Sequence, residues 1–203
     1  MTAAPATSPT RATLLNVRLT FPALFEPKAV QGSTDAKFSA TALFGKDHPQ
    51  LGEIKAKIMA AATGKWGAKA ADVLKQLQAA DKLCLRDGDG KSDYDGYAGN
   101  LYINASNKIR PLAIGGGPDG RGAVTASDGK FYSGCYVNMI VDFWAQDNQY
   151  GKRVNASLLG VQFLKDGDRL AGGGIAAADD FAPIPQEAAQ QAAATGAGAA
   201  GLF

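Results

Sequence analysis

A strict alternation of apolar and polar side chains runs through several short segments of this chain. It constrains the fold more than any other feature of the sequence. The clearest case is the stretch CYVNMIVDFW, whose alternate apolar positions are Cys135, Val137, Met139, Val141 and Phe143. A repeat of two residues places successive side chains on opposite faces of a β-strand. One face of this strand is therefore expected in a core and the other at the surface.

The same alternation predicts strands over residues 13–21, 37–44, 101–104 and 154–163. In the first of these, the side chains expected to face inward are Leu15, Val17, Leu19 and Phe21. Pro22 is expected to end that strand, because proline cannot donate a hydrogen bond to the ladder. A bend is expected at Gly160 in the last strand.

The period changes to that of a helix in the middle of the chain. Apolar residues at helical spacing predict one helix over residues 51–62, stopped by Gly64, and another over residues 68–80. The order is strand, strand, a helical insertion at about 50–80, then three or more strands. We therefore predict a mainly β protein with inserted helices, whose strands curl into a small closed barrel without exposed edges.

Two terminal segments differ in composition from the rest. Residues 1–12 are small, polar and contain proline, and residues 176–203 are rich in alanine and poor in large apolar side chains. Such segments cannot bury enough apolar surface to offset the entropy of ordering, so both are predicted to be disordered. One folded domain is expected between them, over residues 13–175.

The charges divide unevenly between these segments. Of the 19 acidic residues, three follow residue 175, whereas all 21 basic residues precede it. Residues 1–175 therefore contain 21 basic and 16 acidic residues, a net charge of +5. Those three, Asp179, Asp180 and Glu187, give the segment 176–203 a charge of −3. A basic body with an acidic, flexible end is typical of proteins that hold a polyanion.

The sequence indicates a cytoplasmic protein without membrane association. No apolar run approaches the roughly 18 residues that span a bilayer, and the N-terminus lacks the charged-then-apolar order of a signal peptide. The two cysteines, Cys84 and Cys135, stand far apart in apolar surroundings. They are predicted to be buried reduced thiols, since disulfide frameworks use more cysteines at closer spacing.

The residue types that carry enzyme chemistry form no recognisable pattern. His48 is the one histidine, so neither a zinc cluster nor a Ser-His-Asp triad is expected. The run DGDGKSD from Asp87 departs from a calcium-binding loop at three positions, and GGGPDGRG lacks the Gly-Lys-Ser/Thr of a phosphate-binding loop. We expect no catalytic residue, metal or cofactor. The carboxylates leave a metal-dependent nuclease as an alternative.

Aromatic residues take outward positions of the predicted strands, where polar residues are usual. Tyr102, Tyr136 and Trp144 do so, and Tyr94 and Tyr97 lie in a polar loop. Unpaired bases stack on such rings, and lysines and arginines hold the phosphates. The candidate nucleic-acid-binding residues are Arg18, Lys37, Tyr94, Tyr97, Tyr102, Lys108, Arg110, Tyr132, Tyr136, Trp144, Lys152 and Arg153. The competing interpretation is that both strand faces are buried and the rings pack beneath the helical insertion.

Several stretches also resemble a known family. They are NVRLTFPALFEPKA, KFSATALFGKD, LRDGDGKSDYDGYAGNLYINASN, FYSGCYVNMIVDFWAQDNQYGKRVNASLLGVQFLKDGDRLAGGG and ADDF. Together they are similar to single-stranded DNA-binding proteins of tailed bacteriophages and prophages, over about residues 13–181. The most specific parts are Tyr132–Tyr136, Leu158–Gln162 and Asp166-Gly167.

The resemblance implies an oligonucleotide-binding (OB) fold, a five-stranded antiparallel barrel. It further implies sequence-tolerant binding and protection of single-stranded DNA during phage replication or recombination in the bacterial host cell. The C-terminal tail would regulate binding or recruit replication and recombination proteins. We expect its acids to compete with DNA for the basic groove. A phage structural protein remains a further alternative, and the sequence leaves open a homodimer or higher oligomer.

Overall fold

The computed structural model describes residues 8–29 and 34–170. The strands in these ranges are β1 (Arg11–Lys28), β2 (Lys37–Gly45), β3 (Leu85–Asp87), β4 (Asn100–Asn107), β5 (Leu112–Gly116), β6 (Gly122–Ala123), β7 (Tyr136–Asn148) and β8 (Gly151–Lys165). The helical insertion between β2 and β4 has two parts, α1 (Leu51–Trp66) and α2 (Ala70–Ala79). A 3-10 turn at Gly67–Lys69 joins them.

Five strands close into a barrel in the order β4, β2, β1, β7, β8. The neighbouring pairs are antiparallel, and a parallel pairing of Ala105 in β4 with Ala156 in β8 completes the ring. The expected antiparallel barrel is thus confirmed, with one parallel contact at its closure. The β5–β6 hairpin extends the sheet from β8, and β3 lies beside β4. Closure leaves the barrel strands without open edges.

The barrel interior is filled by the alternating apolar positions that the sequence predicts. In β7 these side chains are Val137, Met139, Val141 and Phe143, and all are buried. Ile54 and Ile58 of α1 join the same core, so the insertion packs on the barrel. Burying each side chain of this size contributes roughly 1.5–3 kcal/mol.

Strand β1 departs from its predicted alternation. Leu14, rather than Leu15, is buried, and Phe21 is exposed. Asn16 (φ 51°) and Phe21 (φ 48°) adopt left-handed backbone conformations at two irregularities in the pairing of β1. Each irregularity adds one residue to β1 relative to its partner strand, which reverses the facing of the side chains that follow. The expectation that Leu15 and Phe21 face the core is therefore wrong.

The ends of three predicted elements also differ in the structure. The second irregularity of β1 accommodates Pro22, so the strand continues to Lys28 instead of ending there. Thr10 donates a 2.6 Å hydrogen bond to the Asp142 carboxylate, so the predicted disorder does not extend over residues 8–12. Residues 1–7 and the predicted tail 176–203 lie outside the described residues. Helix α1 passes Gly64 and ends before Gly67, whose φ is 56°.

Both cysteines are buried free thiols, as predicted. Burial raises the pKa of the Cys84 thiol to about 12, which keeps it protonated and unreactive at neutral pH. No helix within the described ranges is long and apolar enough to cross a membrane.

Candidate nucleic-acid interface

Four aromatic rings meet on the outer surface of the barrel, and we call them the aromatic cluster: Phe21, Tyr94, Tyr97 and Tyr102. Tyr97 and Tyr102 are each only 2% exposed, with ring centroids 5.2 Å apart. The prediction that these two rings face solvent is wrong, because the loop that follows β3 folds back over the outer face of β4. The Tyr97 hydroxyl lies 3.0 Å from that of Thr20, and burial raises the pKa of Tyr97.

The other two rings of the aromatic cluster remain open to solvent. Phe21 is 49% exposed and Tyr94 is 43% exposed, and they meet edge to face with centroids 5.7 Å apart. The Lys91 ammonium lies 5.9 Å from the Tyr94 ring centroid and 5.1 Å from that of Tyr102. Sequence reasoning missed Phe21, which the irregularity in β1 turns outward, and Lys91, which no strand alternation marks.

Two carboxylates hold the ends of the loop that carries Tyr94 and Tyr97. The Asp89 carboxylate accepts hydrogen bonds from the Gly99 backbone N–H at 2.6 Å and from Lys46 Nζ at 2.7 Å. Lys46 Nζ also lies 2.9 Å from Asp87, whose side chain accepts from the Asp89 N–H. The hydrogen bond from Lys46 lowers the pKa of Asp89. Asp87 and Asp89 of DGDGKSD thus hold the loop against the barrel.

A second aromatic and cationic group adjoins this cluster on β1, β7 and β8. The Tyr136 ring lies between Arg18 and Lys165, at 5.9 Å and 4.7 Å from its centroid. Arg18 donates to the backbone oxygens of Gly134 at 3.2 Å and Asp168 at 2.7 Å, so its guanidinium is largely engaged. A polar cleft of about 220 Å³ borders Arg18 and Tyr136 and continues to Gly96 in the loop of the aromatic cluster.

Tyr132 lies in the turn before β7 and is partly covered. Its hydroxyl donates to the Asp166 carboxylate at 2.8 Å and accepts from the Gly167 N–H at 3.1 Å. The Arg169 guanidinium lies 4.3 Å from the ring centroid. These contacts attach the segment after β8 to the barrel, so Tyr132 has a structural role, and its role in nucleic-acid binding stays a prediction.

The outward positions of β2 and β4 form a band that we call the outer strip. Leu43 pairs with Tyr102, Thr41 with Asn104 and Ser39 with Ser106. Thr41 donates a 2.7 Å hydrogen bond to the Asn104 side chain. The strip therefore leads from the aromatic cluster across small polar side chains toward the other end of the two strands.

Basic residues stand at that other end of the outer strip. Lys37 and Lys108 both pair with Asp35, at 3.1 Å and 3.0 Å. Hydrogen bonds from these two lysines lower the pKa of Asp35, so the carboxylate stays ionised at neutral pH. Arg110 lies 5.4 Å from the Phe25 ring centroid.

The remaining candidates lie at the hairpin between β7 and β8. Trp144 is 45% exposed, and Lys152 and Arg153 are exposed on the neighbouring strand. Lys152 lies 3.9 Å from Asp147, which also accepts a 2.9 Å hydrogen bond from the indole of Trp66. Trp144 follows Tyr136 by eight residues in the same strand, a separation of roughly 26 Å. The structure thus places Trp144, Lys152 and Arg153 near the opposite end of β7 from Tyr136.

The family described as Enterobacter phage Enc34, ssDNA-binding protein, matches residues 10–193. The chain belongs to this family. The predicted resemblance is therefore confirmed. Another similar protein is p50 of Acyrthosiphon pisum secondary endosymbiont phage 1, 50% identical over 173 residues that make up 83% of this chain and 90% of that protein.

Solved structures of phage single-stranded DNA-binding proteins have a similar fold. The single-stranded DNA-binding protein from bacteriophage Enc34, solved in complex with ssDNA, is 28% identical with a TM-score of 0.65, covering 79% of this chain and 89% of that one. Gp2.5, a single-stranded DNA-binding protein encoded by bacteriophage T7, has a TM-score of 0.50 at 12% identity, covering 84% and 91%. The second likeness concerns the fold alone. Together with the closed barrel, these likenesses confirm the predicted OB-fold class.

Proposed function

We propose that this protein binds single-stranded DNA along the outer strip, with bases stacked on Phe21 and Tyr94. The observation that carries the proposal is the pair of half-exposed rings beside Lys91 on the outer surface of a closed five-stranded barrel. Barrels of this class bind oligonucleotides on the face of their second and third strands. Here those strands are β2 and β4, which form the outer strip.

The chemistry of the strip suits a strand of any sequence. Each base that stacks on an aromatic ring contributes roughly 1–3 kcal/mol, whatever its identity. Phosphates are bound by Lys91 at one end of the strip and by Lys37, Lys108 and Arg110 at the other. Each phosphate neutralised releases condensed counterions, so affinity falls as salt rises. The small polar side chains between these ends leave room for the sugar-phosphate backbone.

The other candidate residues extend this path. Arg18 orients the Tyr136 ring, since two carbonyl oxygens already accept from its guanidinium, and Tyr136 and Tyr132 provide further ring surface. Trp144, Lys152 and Arg153 flank the loop between β7 and β8. The corresponding loop borders the binding face in barrels of this class. We assign these three residues to a DNA segment that continues beyond the outer strip.

In the infected bacterial cell, the protein would coat and protect single-stranded DNA during replication or recombination. Its acidic segment 176–203 would recruit other proteins of these processes, and protomers would assemble as a homodimer or higher oligomer along the strand. The proposal includes no catalytic step. Its family relatives are described as ssDNA-binding proteins, which supports a binding role over a nuclease role.

Affinity measurements on single and double strands over a range of salt test the proposal. We expect a steep loss of single-strand affinity with salt, and a further loss of roughly 1–3 kcal/mol for Phe21→Ala and for Tyr94→Ala. Leu112→Ala is the matched control, since it removes an exposed apolar side chain from β5 and should leave affinity unchanged. Equal affinity of all three variants and the native chain would remove the proposed site.

The same oligonucleotide separates the alternatives when it is incubated with the protein and magnesium. A shifted but intact band is expected. Degradation would support the metal-dependent nuclease, and binding that is insensitive to salt would support a structural role in the phage particle.

A further inference from the structure

A second concave surface lies between the helical insertion and β3. It is a groove of about 680 Å³, within the range of ligand-binding pockets. Its apolar lining comes from Ile58, Met59, Leu74, Leu83, Leu85 and Leu101. Met59 is partly exposed there, and a flexible thioether adapts readily to the shape of an apolar partner. We call this surface the helical groove.

The charges around the helical groove favour an acidic ligand. Of the two carboxylates that border it, Asp81 pairs with Arg86 at 3.2 Å and Asp87 pairs with Lys46 at 2.9 Å. Lys55 of α1 and Lys75 of α2 also border the groove, and neither has an ion-pair partner within the described ranges. The mouth of the groove therefore carries positive charge that its own carboxylates do not neutralise.

The helical groove and the aromatic cluster lie on opposite faces of β4, and both adjoin the loop that follows β3, whose residues Asp87 and Gly90 border the groove. Leu101 borders the groove, whereas its neighbour Tyr102 belongs to the aromatic cluster. Successive side chains of a strand point to opposite faces, so β4 presents the groove on one face and the cluster on the other. A molecule in the groove would consequently leave the outer strip accessible.

We propose that the helical groove is the docking site for an acidic, amphipathic helical segment of a partner protein. Apolar side chains of the segment enter the groove, and its carboxylates pair with Lys55 and Lys75. Grooves with an apolar floor bind amphipathic helices through side chains at helical spacing. Single-stranded DNA is a poorer match, because the apolar lining is aliphatic and offers no aromatic ring on which a base could stack.

The test uses the full chain and a fluorescein-labelled synthetic peptide of about 16 residues, with leucine at helical spacing and glutamate elsewhere. Fluorescence anisotropy should show saturable binding with a Kd on the order of 10 μM. The double variant Lys55→Glu, Lys75→Glu should weaken it at least about tenfold, because it reverses the charge that selects the ligand. Met59→Glu should weaken it similarly by placing a carboxylate at the apolar floor.

The matched control is Lys65→Glu combined with Lys69→Glu, which makes the same charge change on the helical segment outside the groove. It should alter peptide affinity less than about twofold. A second peptide with lysine in place of glutamate should not bind. Affinity for single-stranded DNA should be unchanged in the Met59→Glu variant, so this result does not depend on the DNA-binding proposal.

Four outcomes would overturn the proposal. They are no saturable binding of the acidic peptide up to about 1 mM, equal binding of the lysine peptide, equal weakening by the two double variants, and displacement of the peptide by single-stranded DNA. A concentration-dependent oligomer that Met59→Glu abolishes would assign the groove to a second copy of the chain instead.

Discussion

Tyr94 and Tyr97 stand three residues apart in one loop, yet their surroundings give them different tasks. Tyr97 packs between Phe21 and Tyr102 and its hydroxyl reaches Thr20, so it is buried within the aromatic cluster. Tyr94 covers one side of the same cluster and keeps much of its ring in solvent. Substitutions at the two positions should therefore separate stability from DNA affinity.

Replacing Tyr97 with phenylalanine should lower the free energy of unfolding by about 1 kcal/mol, because the buried hydroxyl of Thr20 loses its partner. The ring remains, so affinity for single-stranded DNA should not change. Urea denaturation monitors the first quantity and an oligonucleotide titration the second. Tyr94→Phe is the control and should leave stability unaltered, whereas equal stability of both variants would contradict the assigned role of Tyr97.

Asp35 should restrain the two lysines that it pairs with at the end of the outer strip. Its pKa is lowered by hydrogen bonds from Lys108 and Lys37, so the carboxylate is charged at neutral pH and would compete with phosphate in the proposed complex. The same ion pairs add to stability above the ordinary carboxyl pKa and are lost as the pH falls through the lowered value. Asp35→Asn should accordingly tighten DNA binding several-fold at low salt.

The control for Asp35→Asn is Asp72→Asn, which removes one negative charge from the exposed first turn of α2. If net charge alone governed affinity, both variants would tighten binding equally. A larger effect at position 35, declining as salt is raised, is the expected result.

Strand β7 follows the sequence pattern closely, because the extra residues in its irregular pairing with β8 belong to β8. Every inward position predicted for β7 is buried, and the predicted bend at Gly160 coincides with a change of register between β7 and β8. In β1 the alternation predicts the wrong face for Leu15 and Phe21, since an added residue reverses facing without changing the order of residue types. This is why sequence reasoning placed Phe21 in the core.

The burial of Tyr102 beneath the loop that follows β3 could not be predicted from the sequence, for a different reason. Tyr102 occupies an outward strand position, as its alternation with Leu101 and Ile103 indicates. Its burial depends on Tyr97 and on the contacts of Asp89 with Lys46 and Gly99, which lie far away or in irregular backbone. Periodicity reports the face of a strand but not what a distant segment places on it.

Gly134, in the turn before β7, should be indispensable for attaching the segment that follows β8. Its φ is 116°, and a Cβ there would collide with the backbone oxygen of Asp168. Gly134→Ala should lower the free energy of unfolding by at least about 2 kcal/mol, measured by urea denaturation. Gly129→Ala is the matched control, because Gly129 also has a positive φ, 62°, but open space around it. It should cost about 1 kcal/mol.

The distribution of charge along the chain predicts how its C-terminal segment affects binding. Residues 176–203 carry −3 of charge and the remainder +5. Deleting them should tighten binding to single-stranded DNA at low salt, with the difference shrinking as salt screens the charges. The full-length variant Asp179→Asn, Asp180→Asn, Glu187→Gln keeps the length and removes the acids, so it should behave like the deletion. Affinity that is the same in all three proteins would remove the electrostatic explanation.

The left-handed backbone at Phe21 also affects how much side-chain entropy is lost when a ligand binds. The main chain fixes where this ring emerges, and contacts with Tyr94 and Tyr97 restrict its rotation before any ligand arrives. The loss of side-chain freedom then falls on folding rather than on complex formation, which favours tighter association. In the proposed complex, a base would stack on a ring whose rotation is already restricted.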